Sequence, residues 1–134
     1  HIAYDAQNGT AWVADSSHVI LIDTLGVVQA TIQGFEFISG LSAANGEVCI
    51  ADARADEIIR FTSKISGNRQ KGDGIVTGGF NTPADVALSY SDNACWVADS
   101  ESGSVVKVDS DGNSLLRVIG MAQPKTIAVH QGIE

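Results

Sequence analysis

The sequence predicts an all-β protein built from tandem four-stranded units, and three observations predict it. A five-residue phrase recurs, as Ala11-Trp12-Val13-Ala14-Asp15, Val48-Cys49-Ile50-Ala51-Asp52 and Cys95-Trp96-Val97-Ala98-Asp99. Turn-forming residues return about every eight to twelve positions, which leaves no room for a helix of ordinary length. Between the turns lie short runs rich in Val, Ile, Trp and Thr, side chains that suit a pleated sheet.

Each copy reads as four strands. An apolar first strand (Ile2-Ala3-Tyr4, Gly40-Leu41 or Val86-Ala87-Leu88) runs into a turn: Gln7-Asn8-Gly9, Ala44-Asn45-Gly46 or Ser91-Asp92-Asn93. The repeated phrase is the second strand. A third follows as Val19-Ile20-Leu21-Ile22, Ile58-Ile59-Arg60-Phe61 or Val105-Val106-Lys107-Val108. A fourth stretch closes on a glycine and a large apolar residue: Gly34-Phe35, Gly79-Phe80 and Gly120-Met121. The phrase spacings, 37 and 47 residues, bracket the roughly 40 residues of one propeller blade. The expectation is a β-propeller fragment of about three four-stranded antiparallel blades plus the first strand of a fourth. Blade one spans 1–35, blade two 36–80, blade three 81–121, and 122–134 starts blade four, where Pro124 to His130 matches Pro83 to Ser89.

The pattern resembles the NHL-repeat family of β-propellers. The residues that carry the resemblance are Pro83 with Val86-Ala87, Trp96-Val97-Ala98-Asp99-Ser100, Val105 to Val108, Asp109 with Gly112, and Gly120-Met121 before Pro124. Copy two departs from it, lacking the opening proline and carrying a longer third turn. The resemblance implies a binding platform of about six blades. Three blades cannot close a ring, and an open array exposes apolar faces and strand edges. The chain therefore reads as part of a longer polypeptide or of an assembly that supplies the rest.

Composition narrows the function classes. The net charge is −8, with sixteen acids against eight bases, which argues against nucleic acid as a partner. No apolar run is long enough to be a transmembrane segment. The chain begins at His1 with no signal peptide in view, consistent with processing or with a cut inside a longer protein. Acidity, few lysines and many small polar residues lean towards a secreted or cell-surface protein. Cys49 and Cys95 are expected as two free, buried thiols, because sheets packed about 10 Å apart exceed the reach of a disulfide.

No catalytic residue, metal ligand or cofactor is assigned, and the chain leans towards not being an enzyme. Asp15, Asp52 and Asp99 are read as structural turn caps, since equivalent positions in successive blades lie too far apart to share an ion. Asp109-Ser110-Asp111-Gly112-Asn113 opens like a calcium loop but has Gly120 where that loop needs its glutamate. Trp12 and Trp96 are read as packing residues. Asp5, Ser42, Ser89 and His130 match positions that face the central channel in related propellers. The long turn Thr62 to Gly74 carries Lys64, Arg69 and Lys71 and is the candidate partner-binding loop. Asn8-Gly9-Thr10 is a candidate glycosylation site.

Three functions remain in view: a non-enzymatic interaction or scaffold module; a fragment of a propeller enzyme, such as a lactonase-like hydrolase or an amidating lyase with a central metal; and a self-assembling extracellular structural protein. Partners are protein, further blades of the same chain, or a homo-oligomer.

Overall fold

The structure is a computed structural model that describes residues 1–130. Its strands form three sheets. Blade one contains β1 (Ile2–Asp5), β2 (Thr10–Ala14), β3 (Val19–Ile22) and β4 (Val28–Gln33) in that spatial order. Blade two contains β5 (Ile38–Ala44), β6 (Glu47–Asp52) and β7 (Glu57–Thr62), with β9 (Ile75–Thr77) at its edge. Blade three contains β10 (Pro83–Leu88), β11 (Cys95–Asp99), β12 (Ser104–Val108) and β13 (Ser114–Ile119). Neighbouring strands within each of these four-strand sets are antiparallel. No helix of the described residues is long and apolar enough to cross a membrane.

The repeated glycine that ends each copy has a backbone reason. Gly34, Gly79 and Gly120 have φ of +98°, +90° and +100°, a region that side-chain-bearing residues rarely adopt. Each swings the chain off its fourth strand. The next residue is buried in the joint to the following blade after Gly34 and Gly79, as Phe35 and Phe80, whereas Met121 after Gly120 is half exposed.

The core lies between blades. Trp12, Leu21 and Ile32 meet Val48, Ile50, Ile59 and Phe61 in one cluster. Cys49, Ala51 and Ile58 meet Val86, Leu88, Val97 and Val106 in the other. β6 therefore sends alternate side chains into opposite interfaces and is buried on both faces. That explains why its sequence is almost continuously apolar. Burying each of Ile50 and Ile59 contributes about 2–3 kcal/mol, so Ile50→Ala would cost about 3 kcal/mol.

The cysteine expectation is corrected. Cys49 and Cys95 form a disulfide, with Cα atoms 6.8 Å apart. A mean sheet spacing was the wrong guide, because these blades converge at their inner strands. A Cβ on Gly40 would fall 2.8 Å from the Asp85 Cα, so only glycine fits there. The Ser42 hydroxyl accepts the Leu88 amide across the interface at 2.9 Å. Cys49 occupies the position of Trp12, and Cys95 that of Val48. The covalent link thus replaces the Trp12–Val48 packing of the preceding interface.

The long turn of blade two is also more ordered than a loop. Residues Gly67–Gln70 form β8, which pairs in parallel with β4 and becomes the fifth strand of blade one's sheet. A short 3-10 turn at Lys71–Asp73 then leads back to β9. The detour leaves β9 with three residues, against six in β4 and in β13.

Reducing the disulfide opens a loop that joins positions 46 residues apart. Chain entropy predicts a loss of about 4 kcal/mol. Denaturant unfolding with and without reductant measures it. Rapid labelling of either cysteine by a maleimide in the native, unreduced chain would contradict the link.

Candidate functional site

The described surface has two rims. One carries the turns that join first to second strands, and these turns are tied to one another. Asp5 is fully buried at the end of β1. Its carboxylate accepts the Gln7 amide at 3.1 Å, the Asn8 side-chain amide at 2.9 Å and the Gly46 amide of the next blade. Gln7 Oε1 accepts the Asn45 amide, and Asn45 Nδ2 donates onward to the Tyr90 carbonyl and to Asn93 Oδ1. Hydrogen bonds therefore run through all three blades.

The candidate channel residues fall into this network or beside it. In the ladder, Ala3 opposes Trp12, Ser42 opposes Cys49 and Ala87 opposes Trp96. Ser42 thus sits two positions earlier in the strand than Asp5 and Ser89. Ser89 is buried and shares a hydrogen bond with Ser91. His130 is exposed, on a stretch that forms no ladder. Residues 131–134, the remainder of the expected blade-four start, lie outside the described residues. Asn8 is exposed, but the nitrogen a glycan would use already donates to Asp5.

The opposite rim holds the repeated aspartates. Asp52 and Asp99 are fully buried, whereas Asp15 is exposed. Asp15 accepts the Ser17 and His18 amides of its own turn. Asp52 instead reaches the incoming linker, accepting the Glu36 amide at 3.0 Å and the Phe37 amide at 2.9 Å. Asp99 does the same with the Asn81 amide at 2.7 Å. Each carboxylate also meets a cation or potential cation from a different place. Lys71 lies 3.1 Å from Asp52, Arg117 3.4 Å from Asp99 and His18 3.6 Å from Asp15.

Of the three bases in the long turn, Lys71 is therefore engaged internally. It bridges Asp52 and Glu57, the latter at 2.7 Å. Arg69 is exposed and donates to the Ser66 carbonyl, and Lys64 is exposed beside a cleft that Asn8 and Asn45 also line. The calcium-like stretch is a hairpin turn, with Asp109 Oδ1 accepting the Asp111 and Asn113 amides. Among the described residues no three His, Cys, Asp or Glu side chains come together as a metal site.

One polar pair escaped the sequence reading. Arg60 is 6% exposed and donates to Glu47 at 3.0 Å. Its other terminal nitrogen, Nη2, is buried with no hydrogen-bond partner among the described residues. A cavity of about 240 Å³ lies alongside, lined by Glu47, Arg60, Phe61, Thr62, Ile65 and Ile75 among others. The only signal in the sequence was a charge inside the β-branched run Ile58-Ile59-Arg60-Phe61. Trp96, the counterpart of buried Trp12, is half-buried. Ile127, Ala128 and Val129 line a cavity beside it, and Lys107 stands 5.4 Å from its ring.

Radially ordered four-stranded sheets, joined by linkers from outer to inner strand, define the fold as that of a β-propeller. The sequence matches no family model and no curated protein. Solved structures do match. Kuenenia stuttgartiensis hydrazine synthase is 12% identical with a TM-score of 0.78, over 94% of this chain and 37% of that one. A chain of the nidogen/laminin complex is 17% identical with a TM-score of 0.72, over 95% and 50%. A streptogramin B lyase is 18% identical with a TM-score of 0.65, over 85% and 38%. These similarities show the fold alone, and this chain spans half or less of each of those chains.

The Asp52–Lys71 pair gives a pH signature. Burial works to raise the Asp52 pKa, but the Phe37 and Glu36 amides and Lys71 outweigh it and hold it below the ordinary 3.8. Burial likewise works to lower Lys71, and Glu57 and Asp52 outweigh it, raising it above 10.5. A depressed acid stabilises fully above its unfolded pKa and loses that contribution as pH falls through the folded value. A raised lysine stabilises below its unfolded pKa and loses its contribution as pH rises through the folded value. The pair should therefore stabilise from about pH 4 to about pH 10. Lys71→Met should cost about 2 kcal/mol near neutrality, read by denaturant unfolding, and less at either extreme. A loss that is the same at all pH values would contradict it.

Proposed function

We propose that the chain is a non-enzymatic interaction or scaffold segment of an NHL-type β-propeller, completed by further blades or by a protein partner. The observation that carries this is the pair of exposed apolar blade faces at the two ends of the array, among the described residues. On blade one, Ile2 and Tyr4 are 75% and 62% exposed. Val13, Ile20 and Ile22 lie only half-buried behind them. On blade three, Leu116 and Val118 are exposed beside half-buried Trp96. The two inner interfaces, by contrast, are sealed. Contiguous apolar faces of this kind mark association surfaces.

Two further features support the reading. Asp5, Ser42 and Ser89, from which a channel site would be built, are engaged in hydrogen bonds within and between blades. One structural neighbour comes from a protein–protein complex, that of nidogen with laminin. A disulfide supports maturation in an oxidising, extracytoplasmic compartment. The enzyme alternative draws on the lyases among the structural neighbours. A stoichiometric bound metal in the purified chain would favour it.

The isolated chain should self-associate with rising concentration in analytical ultracentrifugation. Tyr4→Asp combined with Val118→Asp should return it to a monomer. A wild-type chain that stays monomeric throughout would contradict the proposal.

A further inference from the structure

The outer edge of blade two is cut short, at a place separate from the open end faces. β9 begins only at Ile75, opposite Arg60. Beyond that point, among the described residues, the outer edge of β7 has no strand beside it. Ladder geometry fixes which groups face the gap. The Ser63 amide donates to the Gly46 carbonyl, which makes Ser63 and Gly46 a hydrogen-bonded pair. Alternation then turns the N–H and C=O of Thr62 away from β6, towards the gap. Gly74 closes the lower end, because a Cβ there would lie 2.7 Å from both the Arg60 carbonyl and the Phe61 ring.

Three features of this gap converge. The cavity of about 240 Å³ fills it, comparable to about eight waters of liquid volume. Arg60 supplies a buried donor, Nη2, that lacks an acceptor. A buried donor without an acceptor is unfavourable, and an incoming carbonyl would satisfy it. Thr62 turns a backbone donor and acceptor towards the gap, with no partner for either among the described residues. The walls are apolar, from Phe61, Ile65 and Ile75, while the charges are Glu47 and Asp73 against Arg60 alone.

We propose that this gap is a docking lane for an extended, uncharged or basic peptide segment of a partner protein. The segment lies along β7 in the space that β9 leaves empty, pairing with Thr62 and placing a backbone carbonyl on Arg60 Nη2. Beyond Arg60 the uncovered run of β7 is Phe61 and Thr62, so the lane is about 7 Å long. The fold already uses strand addition once, where β8 pairs with the edge of blade one. An acidic peptide is disfavoured by Glu47 and Asp73, and by Asp109 and Asp111 in the turn that reaches Thr77.

The test is an amide NMR titration of the intact, disulfide-bonded chain carrying Tyr4→Asp and Val118→Asp, so that end-face association does not interfere. The probes are the capped peptides Ac-KVTVK-NH2 and Ac-EVTVE-NH2. The basic peptide should shift Thr62, Ser63 and Ile75, and its affinity should fall about tenfold in Arg60→Met. Thr62→Pro should weaken it similarly, because it removes the outward N–H and leaves the inner ladder intact. If Arg60→Met fails to fold, Thr62→Pro decides alone. The proposal is overturned by an absence of shifts at these residues, by unchanged affinity in Thr62→Pro, or by equal binding of the acidic peptide.

Discussion

The joints between blades depend on a carboxylate at the end of a second strand. In blades two and three this aspartate is fully buried and accepts backbone amides from the linker entering its own blade. The linker must leave an outer strand and return to an inner one, so its amides cannot join a ladder. An amide that joins no ladder needs another acceptor. Asp52 and Asp99 meet that need and fix where the next blade begins. The positive-φ glycine just upstream sets the direction, and the following phenylalanine fills the joint. Glycine, aromatic and aspartate thus form one device built from three parts of the repeat.

Given that device, each interface is free to vary in what fills it. Blades one and two are joined by Trp12 packed with Val48. Blades two and three are joined at the same position by a disulfide. Both solve the same problem of holding two sheets whose inner strands converge. The cations that neutralise the buried aspartates vary too. Lys71 comes from an inserted turn, Arg117 from β13. Lys71 therefore couples the insertion to the joint, and the same insertion sends β8 to blade one. This detour shortens β9 and opens the gap beside Arg60.

Much of the architecture was legible because the repeat writes it three times. The strand order and the hairpin turns follow from residue types in register, whereas Asp52 and Asp99, read as caps of their own turns, accept amides of the incoming linker. What escaped was anything that depends on one copy differing from the others. The disulfide was missed because a typical sheet spacing hides the effect of Gly40 and Ser42, which let the blades close in. β8 was missed because Gly67 to Gln70 has no strand-like pattern, being an edge addition held by β4. Ser42 was placed two positions out, since copy two lacks the turn length of copy one. The Arg60–Glu47 pair was invisible because only the ladder brings position 47 next to position 60.

The central claim is that buried aspartates, rather than local turn geometry, hold the blades in sequence. Native-state hydrogen exchange tests it directly. The Phe37 and Asn81 amides, bound across the joints, should exchange far more slowly than the Ser17 and His18 amides on exposed Asp15. Asp52→Ala and Asp99→Ala, which leave no side-chain acceptor, should each release the matching amide. Equal protection at all four sites, or no release in the variants, would contradict the account.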